Sequence, residues 1–240
     1  MAQHAPPARG ARLGRAAGAT GPGSTVSGVV LLLPGASRFP PGPVRPLARA
    51  LARAGGAQGL VTHGVVPGRD APREDGAAWA VTEAVRRYGD VPVCLAGYGE
   101  GAAAVLRAAG HEAVNSVVAL APCLTGEDGA GPPEPVRQLS GRQVLIVHGT
   151  NDARSDPEES FRLAARAKKA NRATCRFEVH SDGHGLREHQ AEVVALAVDF
   201  VLGSVFSGRF SRPVTDALAA PPPLGLRMPL ASGFGRAARR

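Results

Sequence analysis

The sequence predicts an α/β protein: one domain with a mostly parallel central sheet of about six strands and helices on both faces. Three observations predict it. Short apolar runs alternate with helix-length segments between residues 26 and 206, which is the pattern of βαβ units. Several runs are apolar almost throughout, as strands covered on both faces must be. One run, 91–96, passes through the pentapeptide Gly97-Tyr98-Gly99-Glu100-Gly101 directly into an alanine-rich helical segment.

The elements follow in order. The first strand is 27–33 (SGVVLLL), the second 59–65 (GLVTHGV) and the third 91–96, with helices at 43–54 and 74–88 between them. A helix at 100–109 follows the pentapeptide, and Gly110 ends it. The remaining strands are 114–121 (VNSVVALA), 142–148 (RQVLIVH) and 173–180 (ATCRFEVH), with helices at 157–170 and 187–203. The helix at 157 carries the clearest start signal: Asp156 as N-cap, Pro157 at the first helical position and Glu159 in a capping-box pattern. Residues 123–141 form an insertion with a flexible Gly/Pro stretch, too short for a large lid domain. There is no internal repeat.

Both ends differ in composition. Residues 1–25 and 207–240 are rich in Gly, Pro and Arg and lack a hydrophobic period, so both are expected to be disordered tails around a 26–206 domain. The net charge of +8 lies there. Arg9, Arg12 and Arg15 face no acid at the start, and six arginines face only Asp216 after residue 203. Between them, basic and acidic residues balance at 19 each. The charge therefore belongs to the tails, and the folded part is not expected to bind nucleic acid. No segment approaches the ~18 apolar residues of a membrane helix, so no span is expected. The start has no apolar signal core.

Cys94, Cys123 and Cys175 are an odd set without metal-like spacing. They suit buried thiols in a reducing cytoplasm. His180, His184 and His189 are broken by a glycine loop, and neither metal nor cofactor is expected.

Acyl transfer needs a nucleophile, a base, an orienting acid and oxyanion donors. The chain offers three of these. The run Leu31-Leu32-Leu33-Pro34-Gly35-Ala36 ends the first strand in a glycine turn, which puts backbone N–H groups near Ala36 at the carboxyl edge of the sheet. A second donor is the N–H of Glu100, at a helix N-terminus. Asp152 lies just beyond the fifth strand, and His184, flanked by Gly183 and Gly185, beyond the sixth. The pentapeptide has the strand–turn–helix setting of the G-x-S-x-G nucleophile elbow, but its centre is Gly99. Cys94 lies within a strand, Ser37 near the oxyanion loop and Cys123 at the end of the fourth strand. None is expected to replace the missing serine.

The phrases LLLPGA, GYGEGAAAVLRA, VVALAPCL, HGTNDARSDP and HSDGHG stand in the order of α/β-hydrolase motifs. Residues 27–203 resemble that superfamily, in its small dienelactone-hydrolase-like or carboxylesterase-like form. The resemblance implies sites at the carboxyl edge, Asp152 as triad acid, His184 as triad base and Gly99 at the nucleophile position. It also implies that the first two family strands are missing. The expectation is a pseudoenzyme with a degenerate catalytic triad, non-catalytic or weakly catalytic, which binds a small acyl or ester ligand or a protein partner. The alternative is an active hydrolase with a non-standard nucleophile or a His184–Asp152 general-base dyad.

Overall fold

A computed structural model of the chain describes residues 10–35, 42–68, 71–124 and 133–235. Six strands form the frame: β3 (Gly28–Leu33), β4 (Leu60–Val66), β5 (Val93–Tyr98), β6 (Val114–Leu120), β7 (Gln143–Gly149) and β8 (Thr174–Val179). They run parallel in the order β4-β3-β5-β6-β7-β8. These are the six expected strands. The third begins two residues late, after Pro92, which has no N–H to donate, and it continues to Tyr98.

Strand alternation divides the core into two layers. Val29, Leu31, Leu33, Leu95, Val117 and Ile146 face one side, against α2 (Arg73–Tyr88), α3 (Glu100–Arg107) and α4 (Pro157–Ala170). Val30, Leu32, Ala96, Val118, Val147 and Phe177 face the other, against α1 (Val44–Gly55), α5 (Gln190–Leu202) and α6 (Arg212–Ala219). Asp156 caps α4 as expected, accepting the Glu158 N–H at 2.9 Å. The run Gln190–Ser207 is long and apolar enough to cross a membrane, with a mean hydropathy of 1.5, which the sequence reading did not anticipate. Val193, Leu196, Phe200 and Val201 of α5 are fully buried in the core. That burial accounts for its apolarity.

The expectation of disordered tails is corrected wherever those segments are described. At the start, β1 (Arg12–Leu13) and β2 (Ala17–Gly18) both pair antiparallel with β4. The Gly14 carbonyl meets His63 Nδ1 at 2.8 Å, and His63 Nε2 meets the Tyr88 hydroxyl at 2.6 Å. Short strands therefore do precede residue 26. Residues 1–9 lie outside the described residues.

After residue 206, α6 is followed by a short helical turn and by β9 (Met228–Pro229), which joins β8 in parallel. Val214, Ala217 and Leu226 are fully buried. Two buried cations hold this strap. Lys168 donates to the carbonyls of Thr174, Ala217 and Leu218 at 2.9, 2.8 and 3.2 Å. Arg176, with no exposed side-chain surface, donates to the Leu226 carbonyl at 2.9 Å and pairs with Glu178 at 2.7 Å. Arg227, counted in the sequence as free tail charge, pairs with Glu158 and Glu178 and lies 3.9 Å over the Phe161 ring.

Deleting residues 207–240 removes carbonyl partners from Lys168 and Arg176 and uncovers α5. Leaving a buried polar group unpaired costs about 1–3 kcal/mol, more when it is charged. The truncated chain should lose about 10 °C or more of Tm by calorimetry, or fail to fold.

Candidate active site

Gly99 stands between β5 and α3 at φ 58° and ψ −122°, a conformation in which a side chain is strained. Its neighbours are small for steric reasons. A Cβ on Gly97 would collide with the Gly101 carbonyl, and one on Gly101 with the carbonyls of Leu33 and Pro34. The glycines let β3, β5 and α3 converge on one point. The Gly99 N–H donates to the Leu120 carbonyl at 3.0 Å. Its carbonyl accepts from the amides of Ala102, Ala103 and Cys123 at 3.0, 3.2 and 3.1 Å.

A Cβ built on Gly99 would lie 3.4 Å from His184 Nε2, 3.8 Å from Gly35 Cα and 3.9 Å from Cys123 Sγ. The backbone thus aims an absent side chain at an imidazole nitrogen. That imidazole is held from behind: His184 Nδ1 lies 2.7 Å from Asp152 Oδ2 and donates to it. His148 Nε2 reaches the same oxygen at 3.0 Å and the Ser155 carbonyl at 3.2 Å. Facing two acceptors, it carries its hydrogen. Asp152 Oδ1 accepts the amides of Arg154 and Ser155 at 2.9 and 3.0 Å.

These contacts set the charges. Burial pushes the Asp152 carboxyl up, but hydrogen bonds from His148, His184 and the Arg154 amide outweigh it and hold the group well below the usual carboxylate range. Burial also pushes His184 down from 6.5, yet hydrogen bonding to Asp152 and to Cys123 raises it to about 9. His148 is pushed down, mainly by its burial, and so remains a neutral donor.

The structure brings together four of the five expected positions. His184, Asp152 and Gly99 converge, and Glu100 opens α3 beside them. The Glu100 carboxylate does more than face a helix terminus. Its Oε1 accepts from Arg154 at 2.7 Å, and Oε2 lies 3.1 Å from where a Gly35 Cβ would stand. Ala36 lies outside the described residues. So does Ser37.

Three neighbours do more than the sequence reading gave them. Arg154 spans the site to Glu100. The Tyr98 ring packs on the His184 ring, with centroids 5.1 Å apart. Cys123, at the end of the fourth strand near the pocket, was weighed as a replacement nucleophile and set aside. The only local signal for it is its place just past a strand, the same signal that singled out Asp152 and His184.

No protein-family model and no curated protein matches the chain. Solved structures do. An esterase of Pyrococcus furiosus superposes with a TM-score of 0.61 at 14% identity, over 75% of this chain and 83% of its own. Est1E from Butyrivibrio proteoclasticus gives 0.60 at 17% identity, over 79% of this chain and 93% of its own, and a second structure of it holds ferulic acid. An α/β serine hydrolase without a lid from Xanthomonas campestris gives 0.55 at 17% identity, over 78% and 86%.

The His184–Asp152 pair sets a pH dependence. A histidine raised from 6.5 to about 9 contributes stability that is complete below 6.5 and lost as pH rises through 9. Asp152, lowered from 3.8, contributes stability above that value, lost as pH falls further. By NMR, His184 should titrate near 9, and Asp152→Asn should bring the midpoint down by more than a unit. His184→Ala should destabilise the fold more at pH 6 than at pH 9.

Proposed function

In a chain with the α/β-hydrolase fold, we propose that the carboxyl edge of the sheet holds a degenerate hydrolase site that binds a small acyl or ester ligand and turns it over weakly. One observation carries this reading. The acid and base stand in register with an elbow that has no nucleophile, with the Gly99 Cβ position 3.4 Å from His184 Nε2. Such a site keeps the acid and the base, and it loses the group that would form an acyl-enzyme at the elbow.

Charge supports low turnover. A His184 raised to about 9 is mostly protonated at neutral pH. An imidazolium cannot take a proton from water, so a general-base dyad gains strength only as pH climbs. The Pyrococcus furiosus neighbour is an esterase and the Butyrivibrio protein binds ferulic acid, so short acyl and feruloyl esters are the substrates to try first. Three free thiols suit a reducing compartment, and we place the protein in the cytoplasm on that ground.

The test is restoration. Gly99→Ser should raise kcat/KM for a short ester by roughly 10²-fold or more, a fraction of the ~10⁶-fold that a complete triad supplies as a unit. The gain should vanish when His184→Ala is added. Serine at φ 58° should also lower the unfolding free energy by about 1–3 kcal/mol. A folded Gly99→Ser protein without His184-dependent hydrolysis would overturn the reading.

A further inference from the structure

We propose that Cys123 is the covalent nucleophile of this site, held against His184 from the end of β6 where the elbow offers none, and that it takes the acyl group of small esters. This rests on the reading of the carboxyl edge as an acyl or ester site.

The geometry comes from three independent restraints. Ala121 takes φ 43°, a left-handed conformation that costs a non-glycine residue about 1–3 kcal/mol. It turns the chain sharply off β6. The Pro122 carbonyl then accepts the Ser155 hydroxyl at 2.7 Å, in a buried contact with the loop that carries Asp152. The Cys123 N–H donates to the Gly99 carbonyl at 3.1 Å. The turn is thus fastened to the acid loop on one side and to the elbow on the other. Strain maintained by such fastening marks functional positions.

The sulfur faces the site. Sγ and His184 Nε2 lie 3.9 and 3.4 Å from the same point, the absent Cβ of residue 99. A serine there would place its side chain between them and compete for Nε2. Glycine leaves that space to the thiol. Cys123 is half-buried, whereas Cys94 and Cys175 are fully buried and pushed up to about 12 by that burial. An imidazole beside a half-exposed thiol is the setting of cysteine nucleophiles paired with a base.

A second observation points to a ligand. The Tyr98 side chain, only 4% exposed, has a hydroxyl with no hydrogen-bond partner among the described residues. Its ring packs on His184, and burial pushes its hydroxyl up to about 12. A buried hydroxyl without a partner is costly, and a polar group of a bound ligand would satisfy it.

The step balances. In the share of molecules with a neutral His184, which grows as pH climbs toward 9, Nε2 takes the thiol proton while Sγ bonds to the carbonyl carbon. The tetrahedral adduct collapses, the ester C–O bond breaks, and the alkoxide leaves with the proton from Nε2. Water then attacks the S-acyl carbon with His184 as base. The C–S bond breaks, and the thiolate recovers a proton from the imidazolium. Ester and water become acid and alcohol.

The experiment uses the full chain and p-nitrophenyl acetate, quenched in acid and mapped by mass spectrometry. The expected result is an acetyl group on Cys123 alone, with a p-nitrophenol burst of about one equivalent. Cys123→Ala, folded by circular dichroism, should lose both. His184→Ala should slow acylation by about 10²-fold or more. A folded native chain with no adduct at Cys123, or an equal acylation rate in His184→Ala, overturns the proposal. Gly99→Ser with Cys123→Ala separates the two readings. If it hydrolyses esters while the native chain shows no adduct, the thiol proposal falls and the ester site stands. If the native chain acylates at Cys123 while no Gly99→Ser protein gains hydrolysis, the nucleophile stands and the elbow reading falls.

Discussion

The Asp152 carboxylate accepts hydrogen bonds from His148, His184 and the amides of Arg154 and Ser155, and its side chain has no solvent-accessible surface. A buried carboxylate in that state must stay ionised and must stay paired. That requirement fixes the loop after β7, because two of its own amides point inward. It fixes the loop after β8, because His184 has to reach across from there. It also recruits His148, whose other nitrogen lies 2.9 Å from the Ser160 hydroxyl in α4. Removing Asp152 would loosen three segments at once.

Glycine at the elbow follows from a different constraint. The tight turn after β5 demands a positive φ whatever residue occupies it, and a hydrolase bears that strain to present its nucleophile. Here the strain is relieved, since glycine adopts the turn freely. A second strained position stands one strand away: Ala121, at the end of β6, holds a left-handed conformation without glycine's freedom.

Most of the frame was legible in the sequence because its signals are local. A strand buried on both faces must be apolar at nearly every position, so the runs from Gly28–Leu33 to Thr174–Val179 could be read directly. Asp152 and His184 were legible because each follows such a run by a few residues. Cys123 follows one equally closely, but a thiol reads like the buried Cys94 and Cys175, and only distances separate them. The ends of the chain were misread for the opposite reason. Their order comes from partners far away in sequence: Leu13 beside Val65, Ala217 on Lys168, Leu226 on Arg176. A lysine in α4 and an arginine in β8 look like surface charges until the strap that buries them is seen.

That strap is completed late in synthesis. The Leu226 carbonyl is fifty residues downstream of the guanidinium it receives. At the ~5–20 residues per second of translation, the ribosome needs about 3–10 s to cover that interval. Until then β8 is an open edge, ready to pair with another nascent strand, and it carries a cation whose burial is incomplete. An exposed charge on an unfinished edge discourages such pairing. Arg176 thus guards the edge during translation and becomes the anchor of the strap afterwards.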